Sequence, residues 1–271
     1  MEKDEDTYDV SMVLEYADEI FEYMHKLESD MSPDPHYMDH QTDIQWEYRT
    51  ILVEWLVQVH ARFQLLSETL FLTVNYVDRF LSKKKIDLSS LQLMGATAIF
   101  IAAKFEEVNC PSAQEIIYMI DHAYTVEESL KAERFFVGVL EFNMAYPGPM
   151  SFLRRSSKAD DYDTSTRTLA KYFLEMSIMD ERFVGAPASW VSAASHCLSR
   201  KILGKGGWTA AHVYYSDYTY NQLVPAMEIF LEMCRSPKET HNVIFEKFAE
   251  RKFRRSSLIV AEALKCADIV L

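Results

Sequence analysis

Residue types that perform chemistry are present in this chain, but their spacing points to binding rather than bond-making. His36 and His40 stand four apart, as two imidazoles would on a helix facing a metal, yet Pro33 and Pro35 argue against a helix there. Gly204-Lys-Gly-Gly207 lacks the preceding strand and the Gly-Lys-Ser/Thr ending of a phosphate-cradling loop. No Gly-x-Ser-x-Gly elbow and no Cys–His nucleophile pair occurs, so no catalytic residue, metal or cofactor is expected. The cations are more telling. Lys104 leaves a largely apolar stretch, GATAIFIAAKFEE (95–107), and needs a carboxylate or carbonyl partner. Glu106 and Glu107 then stand at a helix C-terminus, where the macrodipole opposes negative charge by roughly 0.3–1 kcal/mol each. Arg154, Arg155, Lys158, Arg167 and Lys171 gather in an acidic chain, and Arg167 and Lys171, four apart, share a helix face.

The elements that must position these residues read as helices throughout. Only 7 glycines in 271 residues argue against a turn-rich β protein. Ser89/Gln92, Ser112/Glu115, Thr125/Glu128, Thr219/Gln222 and Ser236/Glu239 have capping-box spacing, in which a hydroxyl and the residue three later satisfy each other's amides. Pro237 suits a first helical position. The pattern predicts helices over 11–28, 47–65, 67–83, 90–107, 113–121, 126–141, 150–158, 164–180, 187–203, 209–215, 220–235 and 238–250. Asp163 is expected to cap the helix after Asp160-Asp161. Helix 90–107 is apolar on all sides, which makes it the hub of a bundle. AYPGP (145–149) divides the chain, since two prolines around a glycine cannot continue a helix. A faint repeat crosses that boundary. NYVDRFL before the helix ending Ala102-Ala103-Lys104 is echoed by IMDERFV before ASWVSAASHCLSRKIL, with Lys201 near its end.

The formal charge of −13 argues against general adhesion to nucleic acid or anionic membrane. No apolar run approaches the ~18 residues of a membrane span, and the start, MEKDEDTYD, is too acidic for a targeting peptide. Four cysteines without metal-type spacing read as reduced thiols of a cytosolic or nuclear protein.

Three stretches carry a resemblance. YRTILVEWLVQVHARFQLLSETLFLTVNYVDRFLS (48–82) resembles the first two helices of the cyclin box, GATAIFIAAKFEE its third, and LKAERFFVGVLEFNM (130–144) its fifth. FLRRSSKADDYD (152–163) with RTLAKYFLE (167–175) looks like the second lobe of mitotic B-type cyclins, particularly fungal ones. The resemblance spans essentially the whole chain. It implies an all-α fold of two tandem five-helix cyclin folds: an N-terminal helix and linker over 1–46, a first fold over 47–146, and a second fold with a C-terminal helical extension over 147–271.

The function the resemblance implies is that of a regulatory subunit which binds and activates a cyclin-dependent kinase and recruits substrates during S, G2 or M phase, in nucleus and cytoplasm. Lys104 and Glu133 match the pair that engages the kinase C helix, with Phe105, Ile101, Val137, Phe142 and Met144 as the apolar surface receiving it. Tyr16, Ile20 and Tyr23 match a second kinase contact. Tyr48, Ile51, Leu52, Trp55, Gln58, Leu91 and Gln92 match a docking patch for short linear motifs of substrates or inhibitors. Tyr48, Gln58 and Leu88 depart from the usual Met, Glu and Arg, which puts R-x-L preference in doubt. Arg154, Arg167 and Lys171 match a pocket for phosphorylated partners, with Asp160, Asp161 and Asp163 as internal competitors. Arg49 and Asp78 match a structural ion pair. Mitotic members carry a destruction signal in a long N-terminal extension, so the chain is expected to be a trimmed piece. The alternative is a double cyclin-fold transcription factor bridging DNA and protein.

Overall fold

The computed structural model describes residues 14–266 and is helical, with no strand among the described residues. After a 3-10 turn at Leu14–Tyr16, the chain forms α1 (Ala17–Asp30), α2 (Trp46–Phe63), α3 (Ser67–Lys83), α4 (Leu91–Glu106), α5 (Ala113–Met119) and α6 (Val126–Val139). The second half contains α7 (Pro149–Ser157), α8 (Thr164–Ser177), α9 (Ala188–Ile202), α10 (Ala210–Ser216), α11 (Tyr220–Arg235), α12 (Pro237–Thr240), α13 (Asn242–Ala249) and α14 (Ser256–Cys266). Residues 11–13 of the first expected helix, and the acidic start, lie outside the described residues. The single helix expected over 238–250 is two, because His241 leaves helical geometry, and α14 lies beyond the last helix read from the pattern.

Each half is built around one enclosed helix. α4 packs against α2, α3, α5 and α6, and α9 against α7, α8, α10 and α11. Gly95 permits the close approach of α2 to α4, since a Cβ there would lie 2.6 Å from Leu52 Cδ1. Residues 88–106 prove long and apolar enough to cross a membrane, contrary to the expectation from the sequence, but they are mostly buried as this hub. α2 is apolar on two sides. Leu52, Leu56 and Val59 enter the first core, while Val53 and Val57 join Phe71, Phe173 and Met176 in the second. The two halves therefore share a packed seam.

Three of the five capping boxes close as expected, at Ser112, Thr125 and Thr219. Ser89 instead sits in a 3-10 turn and Ser236 makes no side-chain cap, so spacing alone overpredicts the motif. Thr209 and His212 form a further box with imidazole in the acidic residue's place.

Two buried histidines make stability depend on pH. Burial pushes both His60 and His241 down to about 4, with Lys247 nearby as a lesser cause at His60. The unfolded chain takes up these protons from about pH 6.5 downward and the folded chain resists. Their contribution is complete above pH 6.5 and is lost as pH falls towards 4. Glu175, pushed up by burial, works the other way. Thermal unfolding at pH 7 and pH 5 should show the lower midpoint at pH 5; equal midpoints would contradict this account.

Candidate functional site

The end of α4 is where burial gives way to a usable surface. Ala102 and Ala103 are enclosed, and the next residue, Lys104, emerges with its ammonium 4.2 Å from the Phe100 ring centroid and in an ion pair with Glu133 of α6. Glu133 is therefore the carboxylate that Lys104 required. Phe105 beside it is 51% exposed and Phe142 is 78% exposed. Phe142 is thrown outward by two consecutive left-handed residues, Glu141 (φ 56°) and Phe142 (φ 58°). Non-glycine residues in that region cost of order 1–3 kcal/mol each. The turn is held by Phe142 N–H donating to Val137 O, Arg79 to Asn143 O and the Tyr76 hydroxyl to Met144 O. Val137 and Met144 are half-buried. Ile101 is not part of this surface: at 6% exposure it belongs to the core, because it faces into the bundle one turn before Lys104.

The two acids after Lys104 have different surroundings. Glu107 Oε1 accepts from Leu66 N–H (2.7 Å) and from the Thr69 hydroxyl (2.5 Å). It thus caps the N-terminus of α3, where a negative charge is favoured. Glu106 is half-buried, and its carboxyl is raised by burial and then by Glu68 and Glu107.

Tyr16, at the end of the 3-10 turn, and Ile20 and Tyr23 on α1 are all exposed. The opposite side of that helix is docked on the second half. Phe21 and His25 meet Phe152, Arg155 lies over Phe21 and pairs with Asp18, and buried Glu28 accepts from Ser189 N–H (2.9 Å) and hydroxyl (2.7 Å). Glu28 sits at the start of α9 as Glu107 does at α3.

Of the docking residues expected on α2 and α4, Tyr48, Ile51, Gln58 and Gln92 are exposed and Trp55 is half-buried. Leu52 and Leu91 are core residues instead, 4% and 7% exposed. The heptad-like spacing that groups Leu52 with Tyr48 also turns it towards Gly95 of α4.

Arg167 and Lys171 are half-buried one turn apart on α8, and Arg154 is exposed on α7, which packs against α8. Arg167 Nε is buried with no hydrogen-bond partner among the described residues. Two of the three aspartates expected as competitors are engaged elsewhere. Asp163 caps α8, accepting from Thr166 N–H at 2.9 Å, and lies 3.8 Å from Lys205. Asp160 bonds His196 (2.9 Å), His212 (3.1 Å) and Arg200; burial alone would raise its carboxyl, but His196 and Arg200 outweigh this and hold it well below the usual range. Sequence reasoning missed this cluster because its members lie on a turn, α9 and α10. Asp160, His196 and His212 have the composition of a metal site. Thr209 N–H donates to His212 Nδ1, however, which puts the ring proton on Nε2, towards Asp160. With Arg200 on the same carboxylate, the trio is already satisfied as a hydrogen-bond network.

Arg49 and Asp78 form a buried bidentate pair (2.7 and 2.8 Å) joining α2 to α3. Tyr37 OH also donates to Asp78 (2.9 Å), and Arg49 Nη1 donates to Ile178 O in the second half (2.9 Å).

Family models assign this architecture. The model described as "Cyclin, N-terminal domain" matches residues 19–145, and "Cyclin, C-terminal domain" matches 147–262. The chain belongs to the cyclin family. This cyclin is 61% identical over 261 residues to G2/mitotic-specific cyclin-4 of Candida albicans, covering 96% of the chain and 54% of that relative. It is 50% identical over 265 residues to G2/mitotic-specific cyclin-3 of Saccharomyces cerevisiae, covering 98% and 62%. It is 48% identical over 267 residues to G2/mitotic-specific cyclin cdc13 of Schizosaccharomyces pombe, covering 98% and 55%. The cyclin thus spans little more than half the length of the curated relatives it matches. Among solved structures, a viral cyclin from herpesvirus saimiri superposes with a TM-score of 0.70 at 18% identity, covering 78% of this chain and 94% of that one. A chain of the yeast RNA Pol II CTD kinase CTDK-1 complex gives 0.59 at 10%, covering 78% and 71%. These two similarities concern the fold.

Proposed function

We propose that this cyclin is the core of a mitotic regulatory subunit that binds and activates a cyclin-dependent kinase and performs no chemistry itself. The observation that carries the reading is the Lys104–Glu133 pair flanked by exposed Phe105 and Phe142, on a chain whose relatives are G2/mitotic cyclins. A kinase requires its strand lysine paired with its C-helix glutamate before the nucleotide phosphates are positioned. A partner that binds the C-helix-in state more tightly shifts that equilibrium by its differential affinity. Lys104 supplies donors for carbonyls beside the C helix, Glu133 holds the lysine in place, and the two phenylalanines with Val137 and Met144 receive apolar side chains. Tyr16, Ile20 and Tyr23 supply a second contact from α1 and the turn that precedes it. Ile101 supports the surface from beneath. The protein acts in nucleus and cytoplasm. The named relatives are all mitotic cyclins and lend nothing to the transcription-factor alternative. The test is reconstitution of the purified chain with a cyclin-dependent kinase catalytic subunit. Co-elution and stimulated phosphorylation of a generic peptide are expected; neither occurring would overturn the proposal.

Substrate recruitment belongs to the same reading. Tyr48, Ile51, Trp55, Gln58 and Gln92 form the contact layer for short motifs, with Leu52 and Leu91 as its floor. Arg154, Arg167 and Lys171 form an anion site for phosphorylated partners. Arginine offers a planar fork suited to phosphate, and lysine adds a point charge. A phosphopeptide is expected to bind wild type more tightly than its unphosphorylated twin, with affinity falling as salt rises. The preference should vanish in an Arg154/Arg167/Lys171 alanine variant. Equal binding of the two peptides by wild type would leave a solvated basic face.

A further inference from the structure

A cleft of about 330 Å³ opens on the first cyclin fold between α3, α4, α6 and the loop that precedes α4. Its walls are Phe80, Leu93, Met94, Phe135 and Phe136, with Thr97 and Ser90 among its polar points. Phe136 stacks on Phe80 at 4.5 Å, and Phe135 stands edge-on to Phe80 at 6.0 Å while remaining 58% exposed. A phenylalanine left so open beside an apolar cleft provides surface that gains by being covered.

The cleft is separate from the surfaces described above. On α6, helical periodicity places Ala132, Phe135 and Phe136 on one side and Glu133 with Val137 on another. On α4, its residues occupy the first turns, whereas Lys104 and Phe105 end the helix. None of its lining residues comes from α2.

The rim has a specific charge. Lys83-Lys84-Lys85 is a basic run in a chain of net charge −13. Lys83 pairs with Glu141 at 2.9 Å, but neither Lys84 nor Lys85 has an ion-pair partner among the described residues, and both are exposed. The loop that carries them is anchored. Gln41 Nε2 donates to Leu81 O and Lys84 O (2.8 Å each), and Gln41 Oε1 accepts from Ile86 N–H (3.2 Å). Asp87 also lines the cleft. The chain as a whole repels acidic segments, so Lys85, which lines the apolar cleft, and the preceding Lys84 form a local exception.

We propose that this cleft is a docking site for a short acidic segment of a partner protein, anchored by one aromatic or aliphatic side chain. The anchor enters between Phe80, Met94 and Phe135. The acids lie on the Lys84–Lys85 side of the anchor and away from Asp87, which gives the segment a direction. Cleft volume and partner chemistry are matched: a few hundred Å³ accepts one large side chain, and charge complementarity selects what flanks it.

The proposal is tested on the cyclin alone, so its failure is distinct from failure of kinase binding. Random short peptides displayed on phage are selected on wild type and counter-selected on a Lys84→Glu/Lys85→Glu variant, and the winners are measured by fluorescence polarisation. The expected winners carry Asp or Glu on one side of a single Phe, Leu or Trp. Their affinity should fall about tenfold or more in the double-Glu variant and in Phe135→Ala, fall with salt, and stay unchanged in Trp55→Ala. All these side chains except Trp55 are largely exposed, so the variants should keep the wild-type unfolding midpoint. Amide exchange on wild type gives an independent readout, with slowed exchange expected over 84–97 when peptide is added. Winners without acids, binding that survives both cleft variants, loss in Trp55→Ala instead, or no protection at 84–97 would each overturn the proposal.

Discussion

Replacing Arg49 by alanine should cost this cyclin about 3–5 kcal/mol of stability, the usual penalty for stranding one member of a buried ion pair. Asp78, 4% exposed, would keep only the Tyr37 hydroxyl, and Ile178 O would lose its donor. The expected loss is a large share of the roughly 5–15 kcal/mol that holds a typical domain together. In a chain of this size it lowers the unfolding midpoint by roughly 10 °C. The effect reaches beyond the first fold, because Arg49 bonds residues on both sides of the seam. Replacing both partners by apolar residues, Arg49→Met with Asp78→Leu, should cost less than the sum of the single changes, since no charge is left unpaired. Urea unfolding of the four proteins measures the difference. A loss under about 1 kcal/mol for Arg49→Ala would mean that water reaches Asp78 in the variant.

Lys104→Ala should have the opposite signature, near-wild-type stability with kinase binding weakened by about 2–5 kcal/mol, or roughly 30-fold to several thousand-fold. The side chain is 39% exposed and that of Glu133 is 19% exposed, so the pair contributes little to folding. At a closed interface the same lysine would face carbonyls with no water to replace it, and its removal would leave them unpaired. Glu133→Ala is expected to act in the same direction by freeing the lysine. A charge-swapped Lys104→Glu/Glu133→Lys protein restores the ion pair but presents the wrong sign at each position, so it should fold and fail to activate. Calorimetry and steady-state phosphorylation with a purified kinase measure both effects. Wild-type affinity and rate in either alanine variant would remove Lys104 and Glu133 from the interface.

What the sequence determined by itself was local order and the broad plan. Helix starts such as Ser112 and Thr125 are legible because a capping box is closed within four residues, and Asp163 caps α8 for the same reason. The hub character of α4 is legible because apolar residues on every side of a helix leave it nowhere but the interior. The candidate kinase surface was legible mainly through the resemblance around KFEE; spacing alone showed only a lysine in need of a partner. Tertiary structure decided which of several helically spaced residues faces out. Ile101, Leu52 and Leu91 share a stripe with exposed neighbours yet are enclosed, since the packing of α2 and α6 on α4 sets where each stripe meets solvent. It also decided the partners of charges that look misplaced along the chain. Glu107 opposes its own helix dipole but lies at the start of α3, and Glu28, at the end of α1, lies at the start of α9. Asp160 finds His196, Arg200 and His212 between 36 and 52 residues away. Hydrogen-bond patterns within one turn are encoded by spacing, whereas these contacts exist only once separate elements have packed and brought a carboxylate within reach of another element's unpaired amides or side-chain donors.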